Sequence, residues 1–335
     1  MVNNFIIKNQ IFLSIYNKML WIIIILLIAI TLNLLYWYYN QFEYMTDVSN
    51  TSNTSKPIIW GYWENKPGKI RPSYLDLCLD TFDKYNKNSF NIIILNEKTV
   101  YDYLPNLRKD LNNFSLAHKS DYIRIKLLYT YGGIWLDIDT IVMKNLMPII
   151  DKLNEGYDYV GFGCSYENCD NNQTGFPKPS NQAMASKKDS ILMKRVLEKL
   201  DKFVDEHQNK KFEYFDMGKK LIWDAIEELQ KEQNYKYYHY NSSYDGSRDI
   251  NGKWVNVDNH ISKTYTILLD NGKNLFFVFL ENNKFMGNDP KYNWFSKLSK
   301  DEILAGPWWI SYLFKISLQF IVYHGCNYSA FSCGT

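Results

Sequence analysis

Five cysteines and five histidines in 335 residues are too few and too scattered for a zinc centre, and none of their spacings matches one. Cys164 and Cys169 stand five apart and Cys326 and Cys333 seven apart. Two short-loop disulfides that leave Cys78 unpaired, or five reduced thiols, are both open readings. An excess of one charge sign is lacking as well: 38 Lys and Arg face 36 Asp and Glu, for a net +2. With no basic block, nucleic acid is not a natural partner. No side chain stands out as an enzyme nucleophile or as a general base. Long apolar runs are absent except for one near the N-terminus. The stretch 308–323 is interrupted by Lys315 and Gln319, which predicts a buried helix rather than a second span.

What the chain has is 46% hydrophobic and 17% aromatic residues, enough to bury one large core or a core plus a subdomain. The apolar exception, residues 19–39, is long enough to cross a bilayer and is bracketed by Trp21, Tyr36, Trp37, Tyr38 and Tyr39. No small-x-small cleavage site follows it, so an anchor is predicted rather than a signal peptide. Lys8 and Lys18 precede the span, whereas Glu43 and Asp47 follow it. The positive-inside bias then makes 1–18 a cytoplasmic tail and predicts a single-pass type II membrane protein with the bulk of the chain lumenal. Residues 40–56 read as a polar stem that cannot pack. Asn50 and Asn53 lie there in glycosylation-acceptor contexts, as do Asn113, Asn172, Asn241 and Asn327 elsewhere.

The most informative stretch runs from Tyr131 through Gly132-Gly133-Ile134-Trp135-Leu136 into Asp137-Ile138-Asp139. Side chains two apart on an extended segment point the same way, so both carboxylates can reach one hard divalent cation. Mg²⁺ and Mn²⁺ take oxygen ligands and sit between carboxylates and a substrate's phosphates. Upstream, residues 115–131 read as a helix with Leu116, Ile123, Leu127, Leu128 and Tyr131 in an apolar stripe and Gly132-Gly133 as its stop. Along another side His118, Asp121 and Arg124 recur at spacing three and form one polar row.

The joint pattern Ser-Asp-x-x-Arg, helix, Tyr-Gly-Gly-x-Trp-x-Asp-x-Asp resembles the metal-dependent glycosyltransferases of the GT-A fold. It is most similar to family 32 and the capsular-polysaccharide-synthesis group, with a more distant likeness to the clostridial glucosylating toxins. The resemblance implies an α/β fold, a GT-A-type nucleotide-sugar-binding sheet flanked by helices, spanning 57–323 and followed by a tail at 324–335. It implies a nucleotide-sugar donor, Mn²⁺ or Mg²⁺ as cofactor, and a glycan, glycoprotein or lipid-linked acceptor, with the lipid bilayer as a further partner through the anchor. By the same resemblance Trp60 stacks on the nucleotide base, and Asp121 and Arg124 contact the donor's sugar and ribose. Asp137 contacts donor sugars or shares the metal, and Asp139 is the direct metal ligand. Asn181 falls where relatives place a polar residue near a sugar, Trp308 or Trp309 where a late tryptophan reaches the leaving diphosphate, and His324 where a late histidine completes the metal site. His118 reads equally well as a helix-packing residue. Retention of anomeric configuration is implied, with the metal stabilising the leaving group in place of a general acid.

The rest of the pattern alternates. Strands are predicted at 58–62, 90–95, 141–143, 159–163 and 181–186, and helices at 73–85, 97–104, 190–203 and 214–233. Such alternation predicts a mainly parallel sheet with its ligand site beyond the carboxyl ends of the strands. Residues 235–285 turn β-rich, with Asp270-Asn271-Gly272 as a hairpin turn, and read as an acceptor-side insertion. Two alternatives stand beside the transferase. Asp137-Ile138-Asp139-Thr140 also fits the opening motif of haloacid-dehalogenase-type phosphatases, but that motif ends the first strand of its domain, and strands and helices precede it here. A non-catalytic nucleotide-sugar- or glycan-binding relative is opposed by the intact Asp121, Arg124, Asp137 and Asp139.

Overall fold

The chain divides into two units, Met1–Ser55 and Lys56–Thr335. The computed structural model describes residues 31, 56–65, 68–163, 177–208, 210–263 and 275–318. The predicted anchor and nearly all of the stem lie outside the described residues, as do Cys164, Cys169, His324, Cys326, Cys333 and the Asp270-Asn271-Gly272 turn. Among the described residues no helix is long and apolar enough to cross a membrane.

The second unit is built on a six-stranded sheet in the order β2-β1-β3-β6-β5-β7. Its strands are β1 Ile58–Tyr62, β2 Asn91–Leu95, β3 Gly133–Leu136, β5 Tyr159–Phe162, β6 Ser180–Ser186 and β7 Tyr238–Tyr240. The sheet is mainly parallel, as expected, with one strand reversed. β1 runs parallel to β2 and β3, but β6 enters antiparallel between β3 and β5, and β7 is parallel to β5. Period-two alternation sorts the strand side chains onto two faces. Trp60, Trp135 and Met184 face one apolar cluster, while Ile59, Ile134, Leu136, Ala183 and Ala185 face another. Helices α2 Leu116–Tyr131, α4 Ile191–His207 and α5 Lys219–Gln233 cover the first face.

A second, two-stranded sheet pairs β4, Thr140–Val142, antiparallel with β8, Phe277–Phe279. It shares a third apolar cluster with α1, Ser73–Asn86, and α6, Trp309–Ser317. The segment read as a β-rich insertion is therefore tied into both sheets, through β7 in one and β8 in the other. Helix α3, Met147–Asn154, was not anticipated from sequence, and residues 214–218, predicted helical, form a turn ahead of α5. The late apolar stretch begins as the expected buried helix, with Trp309, Ile310, Leu313 and Phe314 inward. Cys78 is buried in α1 and free.

Local chemistry fixes the join that carries the acid motif. Ser115 caps α2 by accepting from the His118 backbone N–H, the usual remedy for an unpaired first-turn donor. Gly132 and Gly133 then take φ values of +71° and +99°, which side chains with a Cβ rarely adopt. Close approach adds to this: a Cβ on Gly133 would lie 2.5 Å from the Ile58 carbonyl oxygen, and one on Gly132 2.6 Å from the Lys188 nitrogen. Only a Gly-Gly pair lets helix α2 turn straight into the middle of the sheet.

Candidate active site

β3 ends at Leu136, so Asp137-Ile138-Asp139 occupies the turn between the two sheets rather than a continuing strand. Ile138 points into the apolar cluster under α1, while Asp137 keeps the parity of Trp135 and emerges on the α2 side. The Trp135 indole N–H donates to Asp137 Oδ1 at 2.8 Å, and the Asp137 backbone N–H donates to the Gln182 carbonyl. Asp139 is held from the other sheet. Its carbonyl accepts from the Leu280 N–H at 3.0 Å, and its Oδ2 accepts from the Asn282 N–H at 3.3 Å. Tyr74, from α1, donates its hydroxyl to the Asn282 side-chain oxygen.

The polar row of α2 meets this turn. Arg124 is 5% exposed, with Nη1 3.2 Å from Asp137 Oδ1 and Nη2 3.2 Å from Asp121 Oδ1. Its guanidinium also donates to the Asn181 carbonyl and to Ser120 Oγ, and lies over the Trp135 ring. The Asn181 amide, from β6, donates to Asp121 Oδ1 at 2.8 Å. Asp121, Arg124, Asp137 and Asn181 thus form one network, with Asp139 two residues beyond Asp137.

Carboxylates dominate the electrostatics. Burial raises the pKa of Asp121 and Asp137 above the usual range, with Arg124 pulling the other way. Asp139 is pushed up to about 7, by burial first and then by the negative charge of Asp137. Burial opposes the Arg124 charge, but Asp137 and Asp121 outweigh it and raise its pKa. One guanidinium cannot balance these acids, and the Asp139 carboxyl accepts only from the backbone N–H groups of Asn282 and of Asp139 itself among the described residues. A charge-starved site with carboxylate lone pairs to spare fits a hard divalent cation. Asp139 and Asp137 are the residues that would hold it, although among the described residues no group of three acid, histidine or cysteine ligands gathers.

Other expected residues fall elsewhere. Trp60 is fully buried: its indole N–H donates to the Gly132 carbonyl at 2.9 Å, and its ring packs against Tyr103 and Tyr131. A ring enclosed on these sides presents no open face to a base, because β1 lies inside the sheet and Trp60 points under α2. Trp309 is 2% exposed and stacked on His260, and Trp308 packs on Trp294 and Phe295. Among the described residues no hydrogen bond, ion pair or ring contact joins either tryptophan to the acid network. His118 is a packing histidine. Its two ring nitrogens contact Ser115 Oγ at 2.9 Å and the Tyr214 carbonyl at 3.1 Å.

Sequence reasoning missed Tyr74, Tyr214, Gly218 and Asn282. A Cβ on Gly218 would stand 2.7 Å from Asp121 Oδ2 and 3.0 Å from the Asn181 amide nitrogen, so the turn before α5 presses on the network. No local pattern announces these residues, since all are brought in by pairing and packing over long chain distances.

An O-glycosyltransferase, PaGT, from Phomopsis amygdali is 33% identical over 49 residues, 14% of this chain, and the chain spans 12% of that relative's length. Among solved structures, the galactosyltransferase LgtC with donor and acceptor sugar analogues is 13% identical, covering 80% of this chain and 98% of its own at a TM-score of 0.41. The PaToxG glycosyltransferase is 17% identical, covering 54% and 70% at 0.37. Scores at this level add nothing to the reading of the site. The family model for capsular polysaccharide synthesis proteins, however, matches residues 28–255, more than half of the chain. That match runs through β1 to β7 and spans Asp121, Arg124, Asp137, Asp139 and Asn181, and on its extent the chain belongs to the capsular polysaccharide synthesis protein family.

Proposed function

We propose that this protein is a GT-A-type glycosyltransferase that moves a sugar from a nucleotide-sugar donor to a glycan, glycoprotein or lipid-linked acceptor, with a divalent cation and with retention of configuration. The observation that carries the reading is the Asp121–Arg124–Asp137–Asn181 network closing against Asp139. Its four side chains come from three elements separated in sequence, and family membership supports the same activity. Mn²⁺ or Mg²⁺, when bound, neutralises the leaving diphosphate as a Lewis acid. Arg124 fixes Asp121 and Asp137 in place, so their oxygens face a sugar without rearranging. Asn181 fills one lone pair of Asp121 and leaves Asp121 Oδ2 for a substrate hydroxyl. Asp139 makes no ion pair with Arg124 and is the acid that would hold the cation, releasing its proton to solvent as it ligates. The phosphatase reading loses support because β1 and β2 precede β3 in the sheet.

The test is nucleotide release from a panel of nucleotide sugars with and without Mn²⁺. Release that needs both a sugar donor and the cation supports the proposal. Phosphate release without a sugar donor, or binding with no product, would sink it.

The same reading includes a type II anchor at 19–39 with the catalytic unit lumenal, supported by the sequence alone. In sealed microsomes, added protease should trim only the short N-terminal tail. Digestion of the large unit without detergent would instead indicate a cytoplasm-facing enzyme.

A further inference from the structure

The turn ahead of α5 exposes two neighbouring aromatic rings beside the acid network. Tyr214 is 57% exposed and Phe215 46%, and their rings meet edge to face at 5.1 Å. Exposed aromatic rings on a turn are costly unless something covers them, and here the two differ. The Lys219 ammonium sits 3.6 Å over the Phe215 ring, so Phe215 is partly covered and buttresses its neighbour. Tyr214 meets only the rings of Phe215 and His118 among the described residues and stays more than half exposed.

Three further contacts fix where that ring stands. His118 holds the Tyr214 carbonyl at 3.1 Å, and its ring packs on the tyrosine at 5.5 Å. Four residues on, Gly218 lies against Asp121 and Asn181, so the turn runs along the rim of the network. The same acids reach the Tyr214 hydroxyl, whose pKa is raised by desolvation first, then by the negative charges of Asp121 and Asp137. An amphipathic ring more than half exposed beside carboxylates matches a pyranose, which has hydroxyls around its edge and C–H groups on its faces.

We propose that Tyr214 is the platform on which the C–H face of the donor's sugar ring rests, with its hydroxyl toward Asp121, so that this turn reads the sugar rather than the nucleotide. The inference rests on the donor site proposed above, whose sugar contacts are Asp121 and Arg124. Asp121 is the residue against which the turn is packed, which favours the donor sugar over the acceptor.

The experiment is calorimetric titration of uridine and guanosine diphosphate sugars and of the matching free diphosphates, with Mn²⁺, into wild type, Tyr214→Ala and Tyr214→Phe. For the nucleotide sugar that wild type binds best, Tyr214→Ala should weaken binding about tenfold, the upper end for one aromatic contact. Binding of the free diphosphate should not change, and Tyr214→Phe should keep most of the affinity. An equal loss for sugar nucleotide and free diphosphate, or no loss in a variant with unchanged melting temperature, would overturn the assignment. A wild type that binds the free diphosphates but gains nothing from any sugar would also overturn it while leaving the nucleotide site standing. A wild type that binds none of the probes would remove the donor-site reading and this inference together.

Discussion

Arg124 Nη1 lies 3.2 Å from Asp137 Oδ1, and this ion pair ties the middle of α2 to the first residue beyond β3. Both partners are mostly buried, with side-chain exposures of 6% and 24%. Taking charges out of water costs more than one contact returns, so such a pair endures only when further hydrogen bonds satisfy it. Here Asn181, Ser120 and Trp135 supply them.

Replacing Arg124 by Leu should leave Asp121 and Asp137 as uncompensated partly buried acids and destabilise the fold by about 3 kcal/mol, the scale for breaking a buried pair. Arg124→Lys keeps the charge but not the planar fork that reaches Asp121, Asp137 and the Asn181 carbonyl together. It should fold better than Arg124→Leu and still lose most transfer activity. Denaturant unfolding and nucleotide release measured on the same preparations check both halves.

The Asp139 carboxyl titrates near 7 in the folded state against about 4 in an unfolded chain. An acid with a raised folded pKa holds its proton more tightly when folded. Its stabilising contribution is therefore complete below pH 4 and is lost as the pH climbs to 7. His260, lowered to about 4 by burial, works the opposite way: its contribution is present above about pH 6.5 and is lost on acidification toward 4. The difference between wild type and Asp139→Asn isolates the first effect. In metal-free protein the wild type should lose stability relative to the variant between pH 4 and 7. Mn²⁺ should bind wild type increasingly well over the same range, since a ligating carboxyl must be deprotonated. Asp139→Asn should fold and transfer no sugar. Parallel pH–stability curves would exclude the raised carboxyl, and near-wild-type turnover in the folded variant would exclude Asp139 as the metal residue.

Trp60 is a core residue, so its truncation should register in stability before anything else. Trp60→Ala leaves a large cavity between β1, Tyr103 and Tyr131 and strands the Gly132 carbonyl, at a cost of about 3–5 kcal/mol. Chemical denaturation should show that loss. A variant of unchanged stability with weakened nucleotide binding would restore the base-stacking role that the sequence suggested.

How far the sequence could be read follows from which signals are local. The Tyr-Gly-Gly-x-Trp-x-Asp-x-Asp run, the helix before it and the polar row Asp121 and Arg124 lie within one short stretch, where spacing and the glycine conformations dictate the outcome. Asn181 was placed by resemblance and does meet Asp121. The mainly parallel sheet was legible but its one reversed strand was not, because the reversal of β6 depends on pairing between β3 and β5 rather than on any property of its own residues. Tyr74 and Asn282 stand 208 positions apart and reach Asp139 only because β8 pairs with β4. The burial of Trp60 was not legible, because a tryptophan on an apolar strand looks alike from either side of the sheet until the cover on each face is known.

Gly218 offers a way to disturb the site from the turn that packs against it. Its backbone, at φ −101° and ψ −110°, lies outside the helical and extended regions, so alanine there meets a backbone cost as well as a steric one. Its Cβ would stand 2.7 Å from Asp121 Oδ2, closer than carbon and oxygen tolerate. A free carboxylate would swing aside at little cost, but this one is pinned by Arg124 at 3.2 Å and by the Asn181 amide at 2.8 Å. Relief must come from breaking one of those contacts or lifting the turn that carries Tyr214. Gly218→Ala should therefore lose about 1–3 kcal/mol of stability, the scale of one hydrogen bond together with an unfavourable backbone conformation, while donor turnover falls at least tenfold. Thermal melts beside nucleotide-release kinetics separate the two. A variant as active as wild type would mean that Asp121 is not held where a donor sugar needs it.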